Sequence, residues 1–275
     1  MSGCDSQENS AEPQKAGSSE AGGPDSVYKR PADVATAADA KKLLVNGNAR
    51  FVSGKVAKKD LSQAKRDELL KGQKPFAAIV SCSDSRVPPE LLFDQGLGDI
   101  FIIRDAGNIV DPVSMGSVEY AVEHTKVPLV VVLGHEKCGA VTATVEGGEA
   151  PGSIGSIVET IKPAVDKVKE SGVTSKDEII EKSADENIKE VVAKIQESPI
   201  IKEAMEKGQV SVIGAKFHIG TGKVEWLDGS APEEKSAEKS TDKAADKPDK
   251  PAKPADKPDK PADKPDKPAE KPAEK

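Results

Sequence analysis

Four short runs of almost unbroken apolar residues constrain this chain most: FAAIV at 76–80, IFII at 100–103, LVVVL at 129–133 and VSVI at 210–213. A strand with one face in water alternates apolar and polar residues. These runs do not alternate, so both of their faces must be covered. Segments with helical spacing lie between them. Residues 113–124 carry Val113, Val118, Ala121 and Val122 on one side, and residues 154–168, 187–195 and 200–207 have the same character. Pro163 is expected to kink or break the second of these. Ahead of the first run, residues 38–45 predict a short amphipathic helix ending near Asn46-Gly47, and residues 60–71 a second helix stopped at Gly72. Strand and helix in alternation predict an α/β fold with a mainly parallel central sheet flanked by helices on both faces. A last apolar stretch at 224–227, after a turn at Thr221-Gly222, adds an antiparallel edge.

Only part of the 275 residues can build that core. No Val, Ile, Leu or aromatic residue follows Leu227, and the chain from Ala231 settles into near-repeats of Asp-Lys-Pro. Such a segment cannot bury enough apolar surface to offset the entropy of ordering it. The first 30 residues are similarly rich in Ser, Gly, Glu and Pro. The expected organisation is a disordered linker over 1–34, a folded domain over 35–229 and a disordered tail over 230–275. The tail's twelve Lys cancel its twelve Asp and Glu, so the net charge of −7 belongs to the rest. An acidic body without a basic stripe argues against a nucleic-acid partner. No run approaches the roughly 20 apolar residues of a membrane-spanning helix. Ser2-Gly3-Cys4 before a polar linker resembles the site where bacterial lipoproteins are cleaved and acylated. The chain as printed reads as cytoplasmic. A signal peptide ahead of Cys4 would make it a periplasmic or envelope lipoprotein, lipid-anchored at that cysteine.

The chemistry-bearing residues stand in two strings, C-S-D-S-R at 82–86 and H-E-K-C at 135–138, each directly after an apolar run. Residues just past strand ends gather in the crevice where open α/β sheets bind ligands. Cys82, His135 and Cys138 together make a zinc site with one position open, the arrangement of a catalytic rather than a structural zinc. Two other readings stand beside this: small buried thiols with a satisfied loop histidine, or a Cys82–Cys138 disulfide. Asp84 either ligates the metal or accepts a hydrogen bond from its water, and Arg86 can hold that carboxylate bidentately. Among the other histidines, His124 is expected at a helix end and His218 at a sheet edge. Gly96-Leu-Gly98 lacks the strand-then-helix setting of a dinucleotide loop.

C-S-D-S-R followed some fifty residues on by H-x-x-C resembles the β-class carbonic anhydrases. The likeness extends over about 43–227, through Asn46-Gly-Asn48, Gln73-Lys-Pro75, Phe93-Asp-Gln95, Arg104 with Ala106-Gly-Asn108, Gly116 to Tyr120, and Gly134 to Ala140. The resemblance implies one zinc per subunit on Cys82, His135 and Cys138, with Asp84 and Arg86 as a catalytic dyad. It implies reversible hydration of carbon dioxide to bicarbonate and a proton by zinc-bound hydroxide. It also implies a homodimer or higher even oligomer with an N-terminal helical arm. Its cleft would lie near the dimer interface, with Gln73, Phe101, Gly107 and Tyr120 as candidate lining residues. Zinc lowers the pKa of its water to about 7, and Asp84, aligned by Arg86, would orient the hydroxide. Members regulated by non-catalytic bicarbonate carry Trp three residues before the first cysteine. Here that residue is Ile79, so an open site with Asp84 on Arg86 and water on zinc is expected. The alternatives are hydrolysis of carbonyl sulfide or carbon disulfide on the same site, and a zinc-binding envelope scaffold with vestigial catalysis.

Overall fold

In the computed structural model, which describes residues 27–227, the apolar runs are strands and the segments between them are helices. In chain order the elements are α1 (Ala37–Val52), α2 (Gln63–Leu69), β1 (Ala77–Ser81), α3 (Pro89–Leu92), β2 (Ile100–Arg104), α4 (Pro112–Glu123), β3 (Leu129–His135) and α5 (Gly139–Glu146). They continue with α6 (Ile154–Glu170), α7 (Lys176–Gln196), α8 (Pro199–Glu206), β4 (Ser211–His218) and β5 (Lys223–Trp226). The expected linker before residue 27, with Cys4, and the expected tail lie outside the described residues. Among the described residues no helix is long and apolar enough to cross a membrane.

The five strands run in the order β2-β1-β3-β4-β5, parallel except for the antiparallel β4–β5 edge. Successive side chains of a strand point to opposite faces, and the core divides accordingly. Ala78, Val80, Val130, Val132 and Val212 face α4, α7 and α8 through Val118, Val122, Ile188, Val191, Ile195 and Ile201. Ala77, Ile79, Leu129, Val131, Leu133 and Phe217 face α1 and α3 through Ala40, Leu44 and Leu92. At about 1.5–3 kcal/mol per buried large apolar side chain, these two layers dominate the stability. Ile79 is fully buried in the second layer, in register with Ile102 and Val131.

Three expectations are corrected. α1 does not end at Asn46-Gly47 but runs on to Val52. Gly47 lets the helix backbone lie against the C-terminal end of α3, since a Cβ there would stand 1.7 Å from the Phe93 carbonyl oxygen. Asn48 then donates to the Leu92 and Gly222 carbonyls (3.1 and 2.9 Å) and accepts from the Val224 N–H (2.9 Å). The turn-like triplet is therefore a docking face. α6 is continuous through Pro163, an exposed position at which water can serve the carbonyl that proline leaves without a donor. The third correction concerns residues 27–34, assigned to the linker on composition. Tyr28 lies under the Arg50 and Lys59 cations (4.9 and 5.3 Å to its ring), and Arg30 pairs with Asp99 at 2.8 Å.

Strand order reverses between β1 and β3. The chain leaves β1 toward β2 on one side and β3 toward β4 on the other, so the carboxyl ends of β1 and β3 flank a crevice.

Candidate metal centre

Each predicted ligand is placed by an element that ends at this crevice. Cys82 directly follows β1, His135 is the last residue of β3, and Cys138 caps the N-terminus of α5. Their sulfur and nitrogen atoms all lie within 4.8 Å of one another, and the residues are 4%, 0% and 1% exposed. Both cysteines are free thiols, so the disulfide reading is excluded. The His135 ring approaches the Glu136 carbonyl through Nδ1 at 2.8 Å. That contact assigns the proton to Nδ1 and leaves a lone pair on Nε2. Nε2 is buried without a hydrogen-bond partner and lies within reach of both thiols. A buried acceptor with nothing to accept is costly. Two sulfurs and an imidazole around it are the donor set that suits zinc.

The thiols are electrostatically linked. Cys82 is held down at about 4 by the hydrogen bond from the Cys138 thiol, against the effect of burial, with the Gly107 and Asp84 N–H groups adding to it (3.2 and 3.4 Å). Cys138 is pushed up, first by its bond to Cys82 and then by burial, although Ala140 and Val141 N–H groups at the α5 terminus oppose this. One proton leaves readily and the second stays, because two adjacent thiolates repel. A divalent cation among them removes that repulsion.

Asp84 sits beside this group, its Oδ2 4.0 Å from His135 Nε2. Arg86 grips it on both oxygens, Nε to Oδ1 at 2.9 Å and Nη2 to Oδ2 at 2.7 Å, and the Arg86 backbone N–H also donates to Oδ1 at 2.9 Å. The side-chain bonds from Arg86 are the main reason that the carboxyl is held down at about 2. Sequence reasoning assigned no task to Arg104, which ties down the same loop by donating to the Cys82 and Asp84 carbonyls at 2.9 and 2.7 Å.

Among the four candidate lining residues, Gly107 touches a predicted ligand, its N–H donating to Cys82 Sγ. It lies in the 3-10 turn Ala106–Asn108 at φ 78°, and Asn187 of α7 donates to its carbonyl at 2.8 Å. Gln73 precedes β1, at the opposite strand end from Cys82. Phe101 is paired with Ala78, about 13 Å along β1 from Cys82, and stacks on Tyr120 with centroids 6.2 Å apart. His124 caps the C-terminus of α4, and His218 ends β4 against Glu225 at 2.9 Å, so neither joins the centre.

A carbonic anhydrase family model matches residues 77–224. The carbonic anhydrase of Mycolicibacterium smegmatis is 41% identical over 189 residues, 67% of this chain and 90% of its own length. Carbonic anhydrase 2 of Mycobacterium tuberculosis is 38% identical over 191 residues, 68% and 91% respectively. Among solved structures, a tetrameric β-carbonic anhydrase of Sordaria macrospora superposes with a TM-score of 0.58 at 26% identity, covering 69% of this chain and 98% of that one. The Coccomyxa β-carbonic anhydrase in complex with acetazolamide gives 0.57 at 28% identity, covering 67% and 84%.

Proposed function

Because this chain belongs to the β-carbonic anhydrase family, we propose that it hydrates carbon dioxide reversibly with one zinc per subunit on Cys82, His135 and Cys138. The observation that carries this is a buried, unpartnered His135 Nε2 facing two thiols beside a carboxylate locked to an arginine. Zinc, when bound, makes water acidic enough to act as a nucleophile near neutral pH.

The chain's own residues do the rest. Arg86 keeps Asp84 ionised and fixed, using Oδ1 twice and Oδ2 once. Oδ2 retains a lone pair on the side of His135, where it can accept a hydrogen bond from the reacting water and so turn an oxygen lone pair toward carbon. The bidentate grip also draws the carboxylate away from direct ligation, which supports an open coordination position. Ile109, Val141 and Ile161 pack around the thiols and leave the ligands little contact with bulk water, which strengthens every charge interaction there.

The proposal extends to an even-numbered homo-oligomer. β2 bonds to β1 on one side and to no described strand on the other, and IFIIR is an apolar edge of the kind that pairs with a second copy. A tetrameric relative in Sordaria macrospora supports the same reading. Pairing at β2 would also bring Phe101 and Tyr120 of one subunit toward the other.

Zinc quantitation on the purified full chain with a stopped-flow hydration assay tests the function. Hydration no faster than buffer alone, with zinc bound, would reject it. Asp84→Ala should lower turnover by roughly 100-fold or more while zinc content stays at one per subunit. Unchanged turnover removes Asp84 from the mechanism.

A further inference from the structure

The turn that carries two ligands, His135 to Cys138, contains a backbone conformation that cannot hold itself. Lys137 has φ 54°, a left-handed geometry that is strained for an ordinary residue and persists only where the surroundings over-determine it. Its side chain is mostly in solvent and reaches Glu181 Oε1 only at 4.0 Å through Nζ, so the closer restraint acts on its backbone.

Both of its backbone groups are engaged. The Lys137 carbonyl accepts from Arg86 Nη2 at 3.2 Å, the same nitrogen that holds Asp84 Oδ2. The Lys137 N–H donates to Glu181 Oε1 on α7 at 3.3 Å. Glu181 is not free to follow solvent. Its other oxygen, Oε2, lies 3.1 Å from Lys216 Nζ, and Asp185, one turn further along α7, lies 2.8 Å from the same nitrogen. Lys216 is buried on β4, paired in register with Gly134 immediately before His135. The adjacent residue Glu136 is fastened to β4 as well, donating its N–H to the Phe217 carbonyl at 3.1 Å and accepting from the Gly220 N–H at 2.7 Å. Lys137 is thus the point of the turn restrained by α7.

We propose that Glu181, clamped by Lys216, is a positioning residue of the reaction: through the Lys137 backbone it sets the carbonyl that aims Arg86 at Asp84. The inference rests on the carbonic anhydrase reading for its kinetic consequence, but not for its structural one. The chain of contacts is Lys216 to Glu181, Glu181 to Lys137 N–H, Lys137 carbonyl to Arg86, and Arg86 to Asp84. Glu181 touches none of the three metal-site residues, so its loss should leave zinc in place.

The experiment combines full-length Glu181→Ala, Glu181→Gln, Arg86→Ala and the Glu181→Ala/Arg86→Ala double variant. Zinc content, kcat and KM, and a crystal structure of Glu181→Ala are the readouts. Glu181→Ala should keep one zinc per subunit and lose about tenfold in kcat with KM little changed. Its structure should show Arg86 Nη2 moved off the Lys137 carbonyl. Glu181→Gln keeps an acceptor for the Lys137 N–H and should recover most of the loss. In the Arg86→Ala background, Glu181→Ala should cost nothing more. An active wild type with unchanged kcat in Glu181→Ala overturns the proposal, as does an equal loss in both backgrounds. If Glu181→Ala does not fold, Lys216→Met with and without Arg86→Ala supplies the same comparison. A zinc-loaded wild type without hydration activity rejects the functional reading alone, and the Arg86 position in the variant structure still decides this one.

Discussion

Gly107 shows how far one residue can matter here without any side chain. Its N–H donates to Cys82 Sγ, its carbonyl accepts from Asn187, and its φ of 78° lies where L-residues are strained. A Cβ would stand 2.6 Å from Ile161 Cδ1 and 3.2 Å from Ala140 Cβ. Gly107→Ala therefore combines about 1–2 kcal/mol of left-handed strain with a clash against the packing under the thiols. The variant should lose roughly 2–3 kcal/mol in urea denaturation and bind zinc more weakly in a chelator competition. A loss under about 0.5 kcal/mol with unchanged zinc affinity would show that the turn relaxes freely. The Cys82, His135 and Cys138 group that could hold a metal was legible in the sequence, because Cys and His are scarce and both strings follow apolar runs. Gly107 was legible only as a possible lining residue. Its hydrogen bond to a sulfur is made by the backbone, which carries no residue-type signature.

At the scale of elements, strands were more legible than helices. Apolar runs buried on both faces announce themselves, whereas the first half of α7, KDEIIEKSADE, is too charged to show a stripe. Those charges are what brace the site. Lys216 interrupts an apolar strand, and its partners Glu181 and Asp185 come from a distant helix, so the sequence shows the anomaly but not its answer. Burial works against the Lys216 charge, yet Asp185 and Glu181 outweigh it and hold its pKa above the usual lysine value. Glu136, and Lys137 through Glu181, share the same field. A group whose pKa is raised on folding contributes its full stability below the unfolded value, about 10.4. It loses that contribution as pH rises through the folded value. The stability gap between wild type and Lys216→Met should hold steady to about pH 10 and close above it. A gap unchanged at pH 11.5 in urea titrations would show that the ammonium is not the stabilising group.

The whole molecule raises the question of where the folded body starts. Composition places the boundary at 35, but within the described residues 27–34 already make ordered contacts. Val27 bridges to Lys58, Tyr28 lies between two cations on α1 and the following loop, and Arg30 reaches both Asp99 and the Lys74 carbonyl. One aromatic ring among polar residues carries no periodicity, so this strap was invisible to pattern reading. Removing it costs three cation–π contacts, Arg30 over Phe76 and Arg50 and Lys59 over Tyr28, at up to about 0.5–1 kcal/mol each, and a mostly buried ion pair whose arginine also serves a carbonyl. A chain of residues 35–229 should therefore be less stable than one of 27–229 by roughly 2 kcal/mol, or about 4–8 °C in Tm for a domain of this size. Residues 230–275 have no large apolar side chain with which to dock. Their removal alone should shift Tm by less than about 1 °C and leave zinc content and turnover unchanged. Paired melts of the full chain, 1–229, 27–229 and 35–229 separate the two effects. A drop on losing 230–275 would assign the tail a packing role that its composition does not support, and equal melts for 27–229 and 35–229 would return the boundary to residue 35.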